Sequence, residues 1–111
     1  IGLIYIKMRG RPKGSKIRQN VINILYFYSP LTGYDIFKKY IKIYGRVTSR
    51  SIYYHLKYGT NIGDFEINKI INEKGNFSWG ESSQKIYYNL TGGAIADIDD
   101  NIKDYYNNDK Q

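Results

Sequence analysis

At Phe65 the hydrophobic period of this chain changes, and that change limits the fold more than any other feature. Before it, apolar residues recur every three or four positions in three short blocks. Ile17, Val21, Ile24, Leu25 and Tyr28 share one helical face, with Lys16, Arg18, Gln19 and Asn23 off it. "SPLTG" breaks this block, because a residue before proline is pushed out of the helical region. A second helix is expected to open at Thr32, with Asp35 three residues on as a capping-box variant, and to close at Gly45. Its buried face is expected to carry Tyr34, Phe37, Tyr40 or Ile41, and Tyr44, leaving Lys38, Lys39 and Lys42 outside. The third block, "VTSRSIYYHLKYG", has Thr48 as its expected N-cap and Gly59 as its terminator. Its apolar stripe is narrow: Ser49, Ile52 and Leu56, with His55 at the margin. Arg50, Tyr54 and Lys57 lie nearly opposite, and Tyr53 sits at the border.

From Phe65 onward, "FEINKIINEK" and "QKIYYNL" are rich in β-branched and aromatic residues and flank the turn-forming "GNFSWGESS". They predict a long hairpin. Phe65 and Ile67 alternate, then Ile70 and Ile71 break the phase, so a bulge is expected near Asn68–Lys69. On the second strand Ile86, Tyr88 and Leu90 share one side. After the hairpin, Thr91 is the expected cap of a last helix running roughly from Gly93 to Tyr106. Ile95, Ile98, Ile102 and Tyr105 form its apolar seam.

Helix, break, helix, turn, helix, long hairpin is the element order of a winged helix. The expected fold class is therefore α+β and mainly helical: a winged helix-turn-helix with a β-hairpin wing and a C-terminal helix. Three short helices alone would leave a poor core, and the apolar side of the hairpin supplies the missing lid. The expected organisation is a flexible basic N-terminal arm over 1–15, the winged-helix domain over 16–91, and the C-terminal helix over 92–111.

Charge narrows the partner. Residues 1–90 carry 15 Lys/Arg against 5 Asp/Glu, whereas residues 91–111 carry 2 against 5. A basic body with an acidic end suggests a polyanion for the body and a different task for the tail. Six cations fall between Lys7 and Arg18, in and around "MRGRPKGSK". With no cysteine and one histidine, disulfides, thiolate sites and His-rich metal sites are excluded. No nucleophile–base pair or phosphate loop is evident, so an enzyme and a bound cofactor are not expected. No apolar run approaches the length of a membrane span, and the protein is expected to be cytoplasmic and associated with the nucleoid. Met8 directly precedes the basic arm, so Met8 is the expected natural start and residues 1–7 a leader.

"LTGYDI", then "VTSRSIYYHLKYG", then a hairpin ending "KIYYNLT" resembles PadR-type transcriptional regulators. More closely, the chain is similar to small archaeal winged-helix regulators with "GRPKGS" before the first helix and "SWG" in the wing. The resemblance covers about Arg9 to Thr91 and implies binding to double-stranded DNA. Val47, Thr48, Ser51, Ile52, Tyr53 and Leu56 match the family's recognition helix. Tyr54 and Arg50 replace its usual proline and glycine, so effector and dimer geometry do not carry over.

In this fold the third helix enters the major groove. The expected DNA contacts are Thr48, Ser49, Arg50, Tyr53, Tyr54 and Lys57 on that helix, with Lys74 and Lys85 on the wing. Arginine can bridge the two acceptors of guanine, while Thr48 and Ser49 suit phosphate at the helix N-terminus. Trp79 is expected to anchor the hairpin rather than touch DNA. "RGRP" is the core of an AT-hook, so Arg9 and Arg11, with Lys13 and Lys16, are expected along an A·T minor groove. The seam Ile95, Ile98, Ile102 and Tyr105 is the expected interface of a homodimer reading an inverted repeat. The alternatives are a winged-helix module that docks a protein partner within a transcription complex, and an RNA-binding variant.

Overall fold

The computed structural model of the chain describes residues 13–73 and 83–109. Arg9, Arg11, Lys74 and Trp79 lie outside the described residues. Within them the order is α1 (Lys13–Tyr28), β1 (Leu31–Thr32), α2 (Gly33–Tyr44), α3 (Ser49–Ile62), β2 (Phe65–Glu73), β3 (Ser83–Leu90) and α4 (Asp100–Asp109). The result is a small, mostly helical α+β fold, with the three strands in one antiparallel sheet of order β1-β3-β2.

α1 begins at Lys13, three residues earlier than its apolar face suggests, so Lys13 belongs to a helix and not to an arm. Free N–H groups in a first turn let helices start on glycine and near proline at little cost. Asn20 to Leu25 are buried without interruption, so the middle of α1 is covered all round and not on one face. It packs against α2, α3, β3 and α4.

α2 is capped as its sequence suggests: the Thr32 hydroxyl accepts from the Asp35 N–H at 3.1 Å, and Gly45 closes the helix at φ 105°. Its buried stripe is Gly33, Ile36 and Tyr40, with Phe37 and Tyr44 half-buried. Tyr34 and Ile41 are exposed, because Ile36 takes the core position at the start of the helix. In α3 the Thr48 hydroxyl accepts from the Ser51 N–H at 3.1 Å. Gly59 does not end this helix, which runs one turn further to a left-handed cap at Gly63, φ 94°. Gly59 is buried inside it because the Phe65 ring lies against its Cα; a Cβ there would sit 2.3 Å from the ring.

Phe65 opposes Leu90, Ile67 opposes Tyr88 and Ile70 opposes Ile86, with the register shifting between Ile67 and Lys69. The bulge at Asn68 returns Ile70 to the face of Ile67, which strict alternation would deny it. β1 extends the sheet, Leu31 opposite Tyr88 and Thr32 opposite Tyr87.

The C-terminal region departs from expectation. Residues 93–99 are not helical, and α4 starts at Asp100. Thr91 does not cap a helix: its hydroxyl donates to the Gly63 carbonyl at the end of α3. The segment after it is held on α1 by Asn23, which is fully buried. The Asn23 amide donates to the Asp97 carbonyl and accepts from the Asp97 N–H, both at 2.9 Å. Asp99 then caps α4, its carboxylate accepting from the Ile102 N–H at 3.0 Å.

The expected dimer seam is consequently not one surface. Ile95 and Ile98 precede the helix; Ile95 is 79% exposed, and Ile98 packs on the core. Ile102 is fully buried within its own chain, a burial worth about 2 kcal/mol that pairing with a second copy would forfeit. Tyr105 meets Tyr28 edge-on at 6.2 Å, and the Lys39 ammonium lies 4.1 Å from the Tyr28 ring centroid. Burial and a hydrogen bond to Asp109 raise the Tyr28 pKa, so this phenol stays protonated and holds the end of α4.

Candidate nucleic-acid interface

The face of α3 turned from the core is built by subtraction. Ile52, His55, Leu56 and Gly59 are buried, which leaves Arg50, Tyr53, Tyr54, Lys57 and Tyr58 exposed along the other side, beyond Thr48 and Ser49 at its start. The helix contains no acidic residue. Arg50 and Lys57 make no ion pair among the described residues. The Thr48 hydroxyl accepts from its own helix, and its O–H remains available to donate.

Tyr53 is packed and exposed at once. Its ring lies on the first turn of α2, where a Cβ on Gly33 would come within 2.4 Å of it, yet 47% of the residue remains accessible. Burial, and secondarily the Asp35 carboxylate, raise its pKa, so the hydroxyl stays a donor. Beside it a cleft of about 330 Å³ opens between Gly33 and Tyr34 on α2 and Lys85, Ile86 and Tyr88 on β3. The structure thus brings Lys85 and Tyr53 to one cleft. Lys16 is exposed at the start of α1.

Arg18 and Asp64 join Tyr54 and Tyr58 in a group that helical spacing alone did not reveal. The Arg18 guanidinium carbon lies 5.0 Å from the Tyr58 ring centroid, and its Nε is 3.4 Å from the Asp64 carboxylate. The Tyr58 ring is 10° from parallel to Tyr54, with centroids 6.3 Å apart, and Tyr54 meets the His55 ring edge-on. The signal available in the sequence was the i, i+4 pair of tyrosines on a helix otherwise short of apolar residues.

His55 is 5% exposed, and its Nδ1 has no hydrogen-bond partner among the described residues. Burial, then the Arg18 charge, lower its pKa below the ordinary 6.5. Below pH 6.5 the unfolded chain therefore takes up a proton that the folded chain resists. The contribution of His55 to stability is fully present above that pH and is lost as pH falls through the window beneath it. His55→Leu should flatten this dependence, and urea midpoints on either side of pH 6.5 check it.

The acidic residues of the C-terminal helix lie elsewhere. α4, with Asp100, Asp104 and Asp109, packs on α1 and α2. Among the described residues no group of three or more potential metal ligands comes together, and no helix is long and apolar enough to cross a membrane. Comparison of the chain with protein-family models, curated proteins and solved structures gives no match.

Proposed function

We propose that the protein is a sequence-specific transcriptional regulator of winged helix-turn-helix architecture, with α3 in the major groove of duplex DNA. The observation that carries this reading is the outer face of α3, where Arg50 and Lys57 are exposed, flanked by tyrosines and free of acidic neighbours on the helix. The element order and the strand order β1-β3-β2 agree with it, since α2 and α3 form the helix pair and β2–β3 the wing. The resemblance to PadR-type regulators leads to the same place. Arg9 and Arg11, with Lys13 and Lys16, serve an adjacent A·T minor groove. Affinity comes mainly from counterions released from phosphate, so it falls steeply with salt.

Selection of bound fragments from random duplex DNA tests this. A recovered consensus with A·T-rich flanks supports the reading, and recovery of no enriched sequence at low salt refutes it. The symmetry of the consensus tests the homodimer. An inverted repeat requires a two-fold pair formed without Ile102, which the core already uses.

A second reading has its own observation. Tyr26 and Tyr34, at 60% and 59% exposure, stand outside α3 and suit a protein-docking surface. Partner capture that is insensitive to salt, with no shift of DNA, would favour it.

A further inference from the structure

We infer that Tyr54 and Tyr58 form a braced aromatic pair that recognises thymine methyl groups, and that Arg18 and Asp64 are the residues positioning it; this rests on the duplex-DNA reading above. The two rings are 61% and 42% exposed, far more than two tyrosines need for packing. They are nonetheless held. Tyr58 lies between Arg18 and Tyr54, and Tyr54 between Tyr58 and the buried His55 ring.

Arg18 itself is not a surface cation reaching outward. Its side chain is 21% exposed, with one face on a ring and its Nε at a carboxylate. A cation above a ring face is attracted by the ring quadrupole, and the carboxylate fixes where that cation sits. Two exposed phenols would otherwise lose rotamer freedom on binding; ordered in advance, they lose less.

The chemistry of the groove selects the target. Phosphate contacts require donors, which Arg50, Lys57 and the helix start supply. Ring faces and edges offer apolar area, and the apolar feature of the major groove is the C5-methyl of thymine. The 6.3 Å between centroids is on the scale of base steps of about 3.4 Å rise, so the rings suit methyl groups on nearby base pairs. Neither ring position is supplied by the PadR-type helix pattern, in which the place of Tyr54 is a proline.

The test uses the full chain and a duplex recovered by the random selection. Deoxyuridine replacing thymidine in the contacted site removes one methyl group and leaves base pairing intact. Wild type should bind about fourfold more weakly for each methyl lost, as expected for one buried carbon. The Tyr54→Ala/Tyr58→Ala variant should bind both duplexes equally. Arg18→Gln should shift the ring-proton resonances of Tyr58 and Tyr54 in the free protein and shrink the uridine penalty; circular dichroism confirms that it is folded. Wild-type binding that is blind to deoxyuridine overturns methyl recognition while leaving the DNA reading in place. Unchanged ring resonances with a full penalty in Arg18→Gln overturn the positioning role. Failure of wild type to recover any duplex overturns the DNA reading and this inference together.

Discussion

Asn23→Ala should lower the unfolding free energy by about 3 kcal/mol and free the C-terminal segment from the body of the protein. The size follows from what the amide holds. Its two hydrogen bonds to the Asp97 backbone satisfy one peptide donor and one peptide acceptor at 2.9 Å. It also donates to the Tyr44 hydroxyl at 3.3 Å, which in turn donates to the Asp99 carboxylate that caps α4. Removing one side chain therefore leaves a cavity in α1, strips two backbone groups of their partners and loosens the helix cap. Asn23→Leu separates these effects, since it restores volume without hydrogen bonds. Both variants should show faster amide exchange over 94–109 than over α2 and α3, and leucine should recover under half of the lost stability. If leucine matches wild type in urea unfolding, packing and not hydrogen bonding holds the segment.

Asn23 also marks where sequence patterns stop being informative. A polar residue off the apolar face of a helix is ordinarily solvated; here its backbone partner Asp97 lies 74 residues away, and no local period announces it. The same contact explains the misplaced last helix. Ile95, Ile98, Ile102 and Tyr105 do follow helical spacing. Ala94, Ala96 and Ile98 also follow a period of two, and these three pack on the core. Glycines 92 and 93 before them and the aspartates at 99 and 100 after them mark the true helix start. Gly59 is a parallel case: a glycine near a helix end resembles a stop until Phe65 is placed against it. What was legible was local. The Thr32 and Thr48 caps, the Gly45 stop and the bulge at Asn68 each depend on a few neighbouring residues. The exposure of Arg50, Tyr54 and Lys57 follows from a narrow stripe at 3.6-residue spacing. The placement of Arg18 does not, because its partners Asp64 and Tyr58 lie far from it along the chain.

Arg50→Glu/Lys57→Glu should weaken duplex binding by about 100-fold at moderate salt, with the melting temperature nearly unchanged. Both side chains are exposed and make no ion pair among the described residues, so their reversal breaks no contact there. At the interface the effect is large, because two attractions to phosphate become two repulsions with no water-exposed escape. The slope of log affinity against log salt should fall by about 2, one unit for each phosphate contact removed. Net charge alone would do something similar at any position, so the control must match it. Lys42→Glu/Lys103→Glu makes the same change of charge at exposed positions on α2 and α4. Affinity in that variant should fall less than about fivefold, since charges beyond a Debye length of about 10 Å are screened. Equal losses in the two variants would mean that the chain binds DNA as a diffuse cation, with no privileged face. A loss confined to the α3 pair ties recognition to the outer side of α3, which carries arginine, lysine and tyrosine but no acid.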